Sequence, residues 1–235
     1  MERTFPTPAP TPTTEQPSTP ARRRWWPLAA AAIAVFALGL AVGMLVPSAR
    51  TPGETSAEAG FARDMATHHV QAVEMAMIAH GASGNPEITT MAMDIALTQQ
   101  AQIGIMRTWL TQWGLPPTGS QPAMAWMRDR SGMAGMDHGD SPTPAAPMPD
   151  MATKEEVSRL RGMTGQNLDI KFAELMIRHH KGGITMLDAV LDADPRPEVR
   201  ELATRMRAGQ QAEITALESL LERLHASSAV NASND

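Results

Sequence analysis

The 235-residue chain contains no cysteine and no tyrosine. Without thiols there is no disulfide framework, no zinc–thiolate or iron–sulfur site and no cysteine nucleophile, so a soft metal ion would have to be held by methionine or histidine. Aromatic residues make up only 4% of the chain against 43% hydrophobic residues. A core must then be built from Ala, Leu, Ile, Val and 18 Met, which suits packed helices better than a β-sandwich. Positive charge is not in excess either. With 20 Lys and Arg against 25 Asp and Glu the net charge is -5, and the basic footprint that nucleic-acid binding requires is missing.

What is present is unevenly distributed, and the length fits one ordinary domain with appendages. Residues 1–24 carry Pro6, Pro8, Pro10, Pro12, Pro17 and Pro20 among Thr, Ser and Glu, and read as a disordered tail. Arg22, Arg23 and Arg24 close that tail, followed by Trp25, Trp26 and an uncharged run to Pro47. The 19 residues Leu28 to Val46 would span about 29 Å as a helix, which matches the hydrocarbon thickness of a bilayer. Residues 25–47 are therefore expected to be a single-pass anchor with an aromatic belt at Trp25 and Trp26. The three arginines place the N-terminus in the cytoplasm and the rest of the chain outside the membrane. Secretion after signal cleavage is the alternative, weakened by the long lead and the absence of an Ala-x-Ala site. A linker at 48–57 would lead to a working domain at 58–227, and 228–235 reads as a second disordered tail.

Sliding the chain against itself by 111 residues places Phe61–Met75 on Phe172–Met186, with Phe, Ala, Met, His, His and Met coinciding. In the same register Pro86-Glu87-Ile88 falls on Pro197-Glu198-Val199, and Gln99-Gln100-Ala101-Gln102-Ile103 on Gln210-Gln211-Ala212-Glu213-Ile214. A gapless register over this length means two copies of one supersecondary unit. Phe61, Met65, His68, Ala72, Met75 and Ala79 follow the spacing of one helix face, with a turn at 81–85 and Asn85-Pro86 opening a second helix. That second helix stops at Gly114-Leu115-Pro116-Pro117, and the second copy ends its last helix near His225. The sequence thus predicts an all-α domain, a four-helix bundle made of two repeated helical hairpins. Residues 115–152 form a Met-rich connector without apolar periodicity, and Thr153 with Glu156 forms a capping box for a short helix over 154–161.

Each copy carries Met-x-x-His-His on a helix, which sets Met65 one turn from His68 and Met176 one turn from His179, with His69 and His180 on the flank. Met75 and Met186 lie two turns further along the same faces. Thioether and imidazole together suit copper, and thioether favours Cu(I) over Cu(II). Gln99 and Gln210 interrupt otherwise apolar seams opposite His68 and His179, where an amide oxygen could fix a histidine tautomer from behind the ligand. The connector adds Met133, Met136 and His138, soft donors on an accessible segment. The plainer alternative is that the methionines fill the core and the histidines are hydrogen-bonded within it.

At the paired Met-x-x-His-His segments the sequence resembles the bacterial family called domain of unknown function 305. Met176-Ile177-Arg178-His179-His180-Lys181-Gly182-Gly183-Ile184 is the nearer copy of its hallmark, and Met65-Ala66-Thr67-His68-His69-Val70-Gln71-Ala72-Val73 departs from it by lacking the Ile and the glycines. The resemblance, over about 58–225, implies a ferritin-like four-helix fold and kinship with CopM-type periplasmic copper-binding proteins. Di-iron chemistry is disfavoured, because that fold's iron sites need Glu-x-x-His and Met65 and Met176 stand where the glutamates would be. The expected function is extracytoplasmic copper binding without turnover, for sequestration, tolerance or transfer to a partner protein, with homo-oligomerisation left open. A metal-free helical interaction module is the alternative.

Overall fold

The structure, a computed structural model, describes residues 30–38, 51–128 and 148–233. The chain divides into two compact units, Met1–Arg50 and Thr51–Asp235. In the first, residues 30–38 form a helix, α1, with Ile33, Val35, Phe36 and Leu38 exposed. Among the described residues no helix is long and apolar enough to cross a membrane. The expected anchor at 25–47 lies outside the described residues except for those nine positions, as does the tail at 1–24.

The second unit contains α2 (Ala57–Ala82), α3 (Pro86–Gln112), α4 (Ala125–Arg128), α5 (Lys154–Arg161), α6 (Gly165–Leu191) and α7 (Pro197–Ser233), with no strand among the described residues. The helix starts follow local chemistry. Ser56 Oγ accepts from the Ala59 amide at 3.1 Å, and Asn85 Oδ1 accepts from the Glu87 amide at 2.9 Å with Pro86 in the first turn. Thr153 and Glu156 cap α5 reciprocally over the span the capping box predicts. Gly114, at φ 70°, ends α3 as a left-handed cap residue. One boundary differs from expectation: α7 runs on to Ser233, past both His225 and 227, because no Gly or Pro follows Gly209 to stop it.

Helix α2 packs along α3, α6 along α7, and the two hairpins meet through α2 and α6. Their side chains make two apolar clusters. One gathers Met75, Ile88, Ile95, Leu160, Phe172, Met176, Ile214 and Leu217; the other gathers Phe61, Met65, Ile103, Met106, Met186, Val190, Val199 and Met206. The N-terminal half of α2 thus shares a cluster with the C-terminal half of α6, and the reverse, so the two helices cross antiparallel. At the crossing the apolar core is interrupted by a layer of buried polar residues: His68, His69, Gln99, His179, His180 and Gln210.

Candidate metal centre

The layer is built by the two copies of Met-x-x-His-His. His68 and His179 face each other across the α2–α6 crossing, with ring centroids 3.7 Å apart and planes inclined by 30°. One position further on, a rotation of about 100° turns His69 and His180 toward the second helix of their own hairpin. There Gln102 Oε1 lies 2.7 Å from His69 Nε2, and Glu213 Oε2 lies 2.6 Å from His180 Nε2. The last contact is close but not aligned as a hydrogen bond.

The hydrogen bonds fix the tautomers. His179 Nε2 donates to the carbonyl oxygen of His68 at 3.0 Å, and His68 Nε2 donates to that of Pro149 at 3.3 Å. A carbonyl can only accept, so each ring carries its proton on Nε2 and presents Nδ1 as a bare lone pair. With Gln102 Oε1 accepting from His69, the same holds there. None of the four Nδ1 atoms has a hydrogen-bond partner, and all four are buried. Leaving one such acceptor without a donor costs about 1–3 kcal/mol, so the three on His68, His69 and His179 together mark a place where the fold supplies electron pairs to something else.

Electrostatics keep those pairs available. Burial pushes the His68 imidazole down to about 4 and His69 to about 3, and holds His179 well below its ordinary value. Mutual repulsion with neighbouring histidines adds to this in each case. These rings are neutral at pH 7, the form in which imidazole binds a metal.

The soft donors flank the layer. Met65 and Met186 sit in the apolar cluster on one side and Met75 and Met176 in the cluster on the other, all fully buried. Imidazole nitrogen with thioether sulfur is a donor set that fits a soft cation such as Cu(I). Among the described residues no group of three or more His, Asp or Glu is gathered to hold an ion, so an ion would have to draw on the methionines as well as the histidines. Met133, Met136 and His138 lie outside the described residues.

Gln99 and Gln210 are buried in the layer, yet neither pairs with a histidine. Both side-chain polar atoms of Gln99 and Oε1 of Gln210 are without a partner, and Gln210 instead packs against Gly183. The side-chain oxygens that do approach histidines come one turn later, on Gln102 and Glu213, and they face the flanking His69 and His180 instead of His68 and His179. The turn is centred nearer 84 than 83, and helical side chains lean toward their own N-termini, so antiparallel partners meet at higher residue numbers than backbone levels alone indicate. The 111-residue register had already aligned Gln102 with Glu213 and was the signal for it.

Both ends of the connector are pinned to α2. At one end Asp64 accepts from the Met124 amide at 2.7 Å and the Trp126 indole at 2.9 Å, and Trp126 packs edge-on to Phe61 over Gly60. At the other, Gln71 and Ala152 exchange two hydrogen bonds of 2.8 and 2.7 Å, and the Pro149 carbonyl lies on Gly182 as well as on His68. Sequence reasoning passed over Asp64, Gln71 and Pro149. A cleft of about 320 Å³ between α2 and the connector is bordered by Arg63, Asp64 and Trp126 and does not include any of the four histidines.

Such a fold defines a class: two repeated helical hairpins closed on an intramolecular layer of paired histidines. The chain belongs to the family Domain of unknown function (DUF305), which matches residues 58–221. A DUF305 protein from Streptomyces coelicolor is 36% identical, with TM-score 0.65, covering 74% of this chain and 96% of that one. A DUF305 fragment from Deinococcus radiodurans is 31% identical, with TM-score 0.58, covering 73% of this chain and 99% of that one. CopM in its Cu(I)-bound form has the same fold at 23% identity and TM-score 0.51, covering 71% of this chain and 96% of that one. No curated protein matches the chain.

Proposed function

We propose that the protein is a membrane-anchored, extracytoplasmic copper-binding protein whose four long helices act as a four-helix bundle around a buried copper site. It would sequester copper or pass it to a partner protein, without turnover. The observation that carries this reading is the set of buried Nδ1 lone pairs on His68, His69 and His179, held neutral and without donors beside the buried ring of His180 and between two pairs of buried methionines. Cu(I) is the favoured state because the remaining donors are thioethers. Structures of CopM in Cu(I)-bound and Cu(II)-bound forms support copper as the ion to test. The extracytoplasmic placement rests on Arg22–Arg24 and the apolar run that follows them.

The test is a Cu(I) competition titration on the full chain in detergent, with metal analysis of protein from copper-supplemented cells. Tight binding in the native chain should weaken at least tenfold when all four paired histidines become alanine and circular dichroism confirms that the helices persist. Met65→Leu with Met176→Leu nearly conserves volume and should weaken Cu(I) without disturbing the fold. Loss only on deletion of 124–151 would move the site to the connector. Absence of copper above background in every form would leave the metal-free interaction module, which the lack of a ready three-ligand group among the described residues favours.

A further inference from the structure

The two halves of the histidine layer are related by the repeat, but their outer edges are not alike. On the first half the group against the flanking histidine is the neutral Gln102, and on the second it is the carboxylate of Glu213, at the same position of the repeat. Glu213 also borders a surface groove of about 460 Å³ between α3 and α7, together with Glu87, Thr90, Met91, Asp94 and Ile95. Glu87 is occupied by Arg223. Asp94 is exposed and has no ion-pair partner among the described residues. The repeat counterparts of Met91 and Asp94 are Leu202 and Arg205, and Arg205 is paired with Glu201. One side of the layer thus offers a thioether and two carboxylates to the solvent, and the equivalent positions on the other offer an alkyl chain, a guanidinium and an amide.

An acidic groove alone says little, but this one ends on a second feature. His180 is fully buried, neither of its ring nitrogens has an aligned hydrogen bond, and its Nε2 lies 2.6 Å from Glu213, a residue that both lines the groove and touches the histidine layer. We propose that the groove formed by Met91, Asp94 and Glu213 is the port through which a soft metal cation reaches the histidine layer, with Glu213 handing it to His180. The inference rests on the metal-binding reading above and adds a direction to it. Carboxylates at a groove mouth raise the local concentration of cations and speed their capture by about 10-fold or more, an effect that salt removes. The Met91 thioether would select soft cations among those attracted.

The experiment follows Cu(I) transfer from a chromophoric chelator to the full chain by stopped-flow absorbance, beside the equilibrium titration. Asp94→Asn should slow loading severalfold at low ionic strength and leave equilibrium affinity within about twofold, because Asp94 does not touch the histidines. Glu213→Gln copies the group that the first half already tolerates at Gln102, so the fold should survive. Combined with Asp94→Asn it should slow loading about tenfold, with the difference vanishing near 0.5 M salt. Glu201→Gln, which removes the same charge from the other side of the layer, should leave the loading rate unchanged. Equal loading rates for the native chain and the double variant, or an equal effect from Glu201→Gln, would overturn the port while leaving the copper site standing. Failure of the native chain to bind copper would overturn the site and the port together.

Discussion

Three buried imidazoles that are neutral in the folded chain and free to take protons once it unfolds make a steep prediction about acid. His68, His69 and His179 are held down chiefly by burial, His68 to about 4 and His69 to about 3. In the unfolded chain each would titrate near 6.5. Below that value the unfolded state binds protons that the folded state refuses, so stability is complete above pH 6.5 and drains away as pH falls toward the folded values. Each such histidine costs about 1.4 kcal/mol per pH unit once the unfolded chain is protonated, and the three together about 5 kcal/mol between pH 7 and pH 5. That is comparable to the whole stability of a typical domain, about 5–15 kcal/mol. Other shifted groups act in other windows. Glu54 and Glu156, lowered by Ser120 and Arg178 respectively, lose their contribution only below 4.5, and Asp64, raised by burial, acts near and above 3.8 in the opposite sense. Urea unfolding of the metal-free protein in chelator, followed by far-ultraviolet circular dichroism at pH 7, 6 and 5, reads the effect directly. His69→Gln should remove about a third of the slope. A midpoint that stays level from pH 7 to pH 5, or a slope no larger than one histidine can supply, would refute the account of a buried neutral layer.

Gly182→Ala would drive a Cβ into the carbonyl of Pro149, which is backbone and cannot swing aside, so the strap at 148–152 should lift from α6. We expect a loss of about 1–3 kcal/mol in thermal unfolding and faster amide exchange at 149–152. Asp64→Ala leaves the Met124 amide and the Trp126 indole without their acceptor. It should cost about 2–4 kcal/mol and red-shift tryptophan fluorescence, whereas an unchanged spectrum would mean that Trp126 is held by packing alone. Phe172→Ala empties a fully buried position and should cost about 3–5 kcal/mol by urea titration.

Much of the fold was legible because it depends on local rules. Two aligned copies, Asn85-Pro86, Thr153 with Glu156 and Gly114 marked helix starts and stops that the structure reproduces. The end of α7 was not, since a run without breakers carries no local instruction about where to stop. The burial of His68 and His179 followed from their place on the apolar stripe. That of His69 and His180 did not, because a flank position is buried only when a second helix covers it.

Sequence alone therefore determined the helical hairpin, its duplication and the donor chemistry of the Met-x-x-His-His segments, all properties of spacing and residue type. Tertiary structure decided what those donors face. The antiparallel crossing of α2 and α6 stacks His68 on His179 and splits the methionines into two flanking sets, and the lean of the side chains brings Gln102 and Glu213 against the flanking His69 and His180, while Gln99 and Gln210 make no hydrogen bond to the His68 and His179 they were expected to face. The docking of the connector, with Pro149 on His68 and Asp64 beneath Trp126, joins residues more than 60 positions apart. No periodicity encodes such a contact: it arises where a backbone carbonyl and a buried ring nitrogen, brought together by packing, satisfy one another.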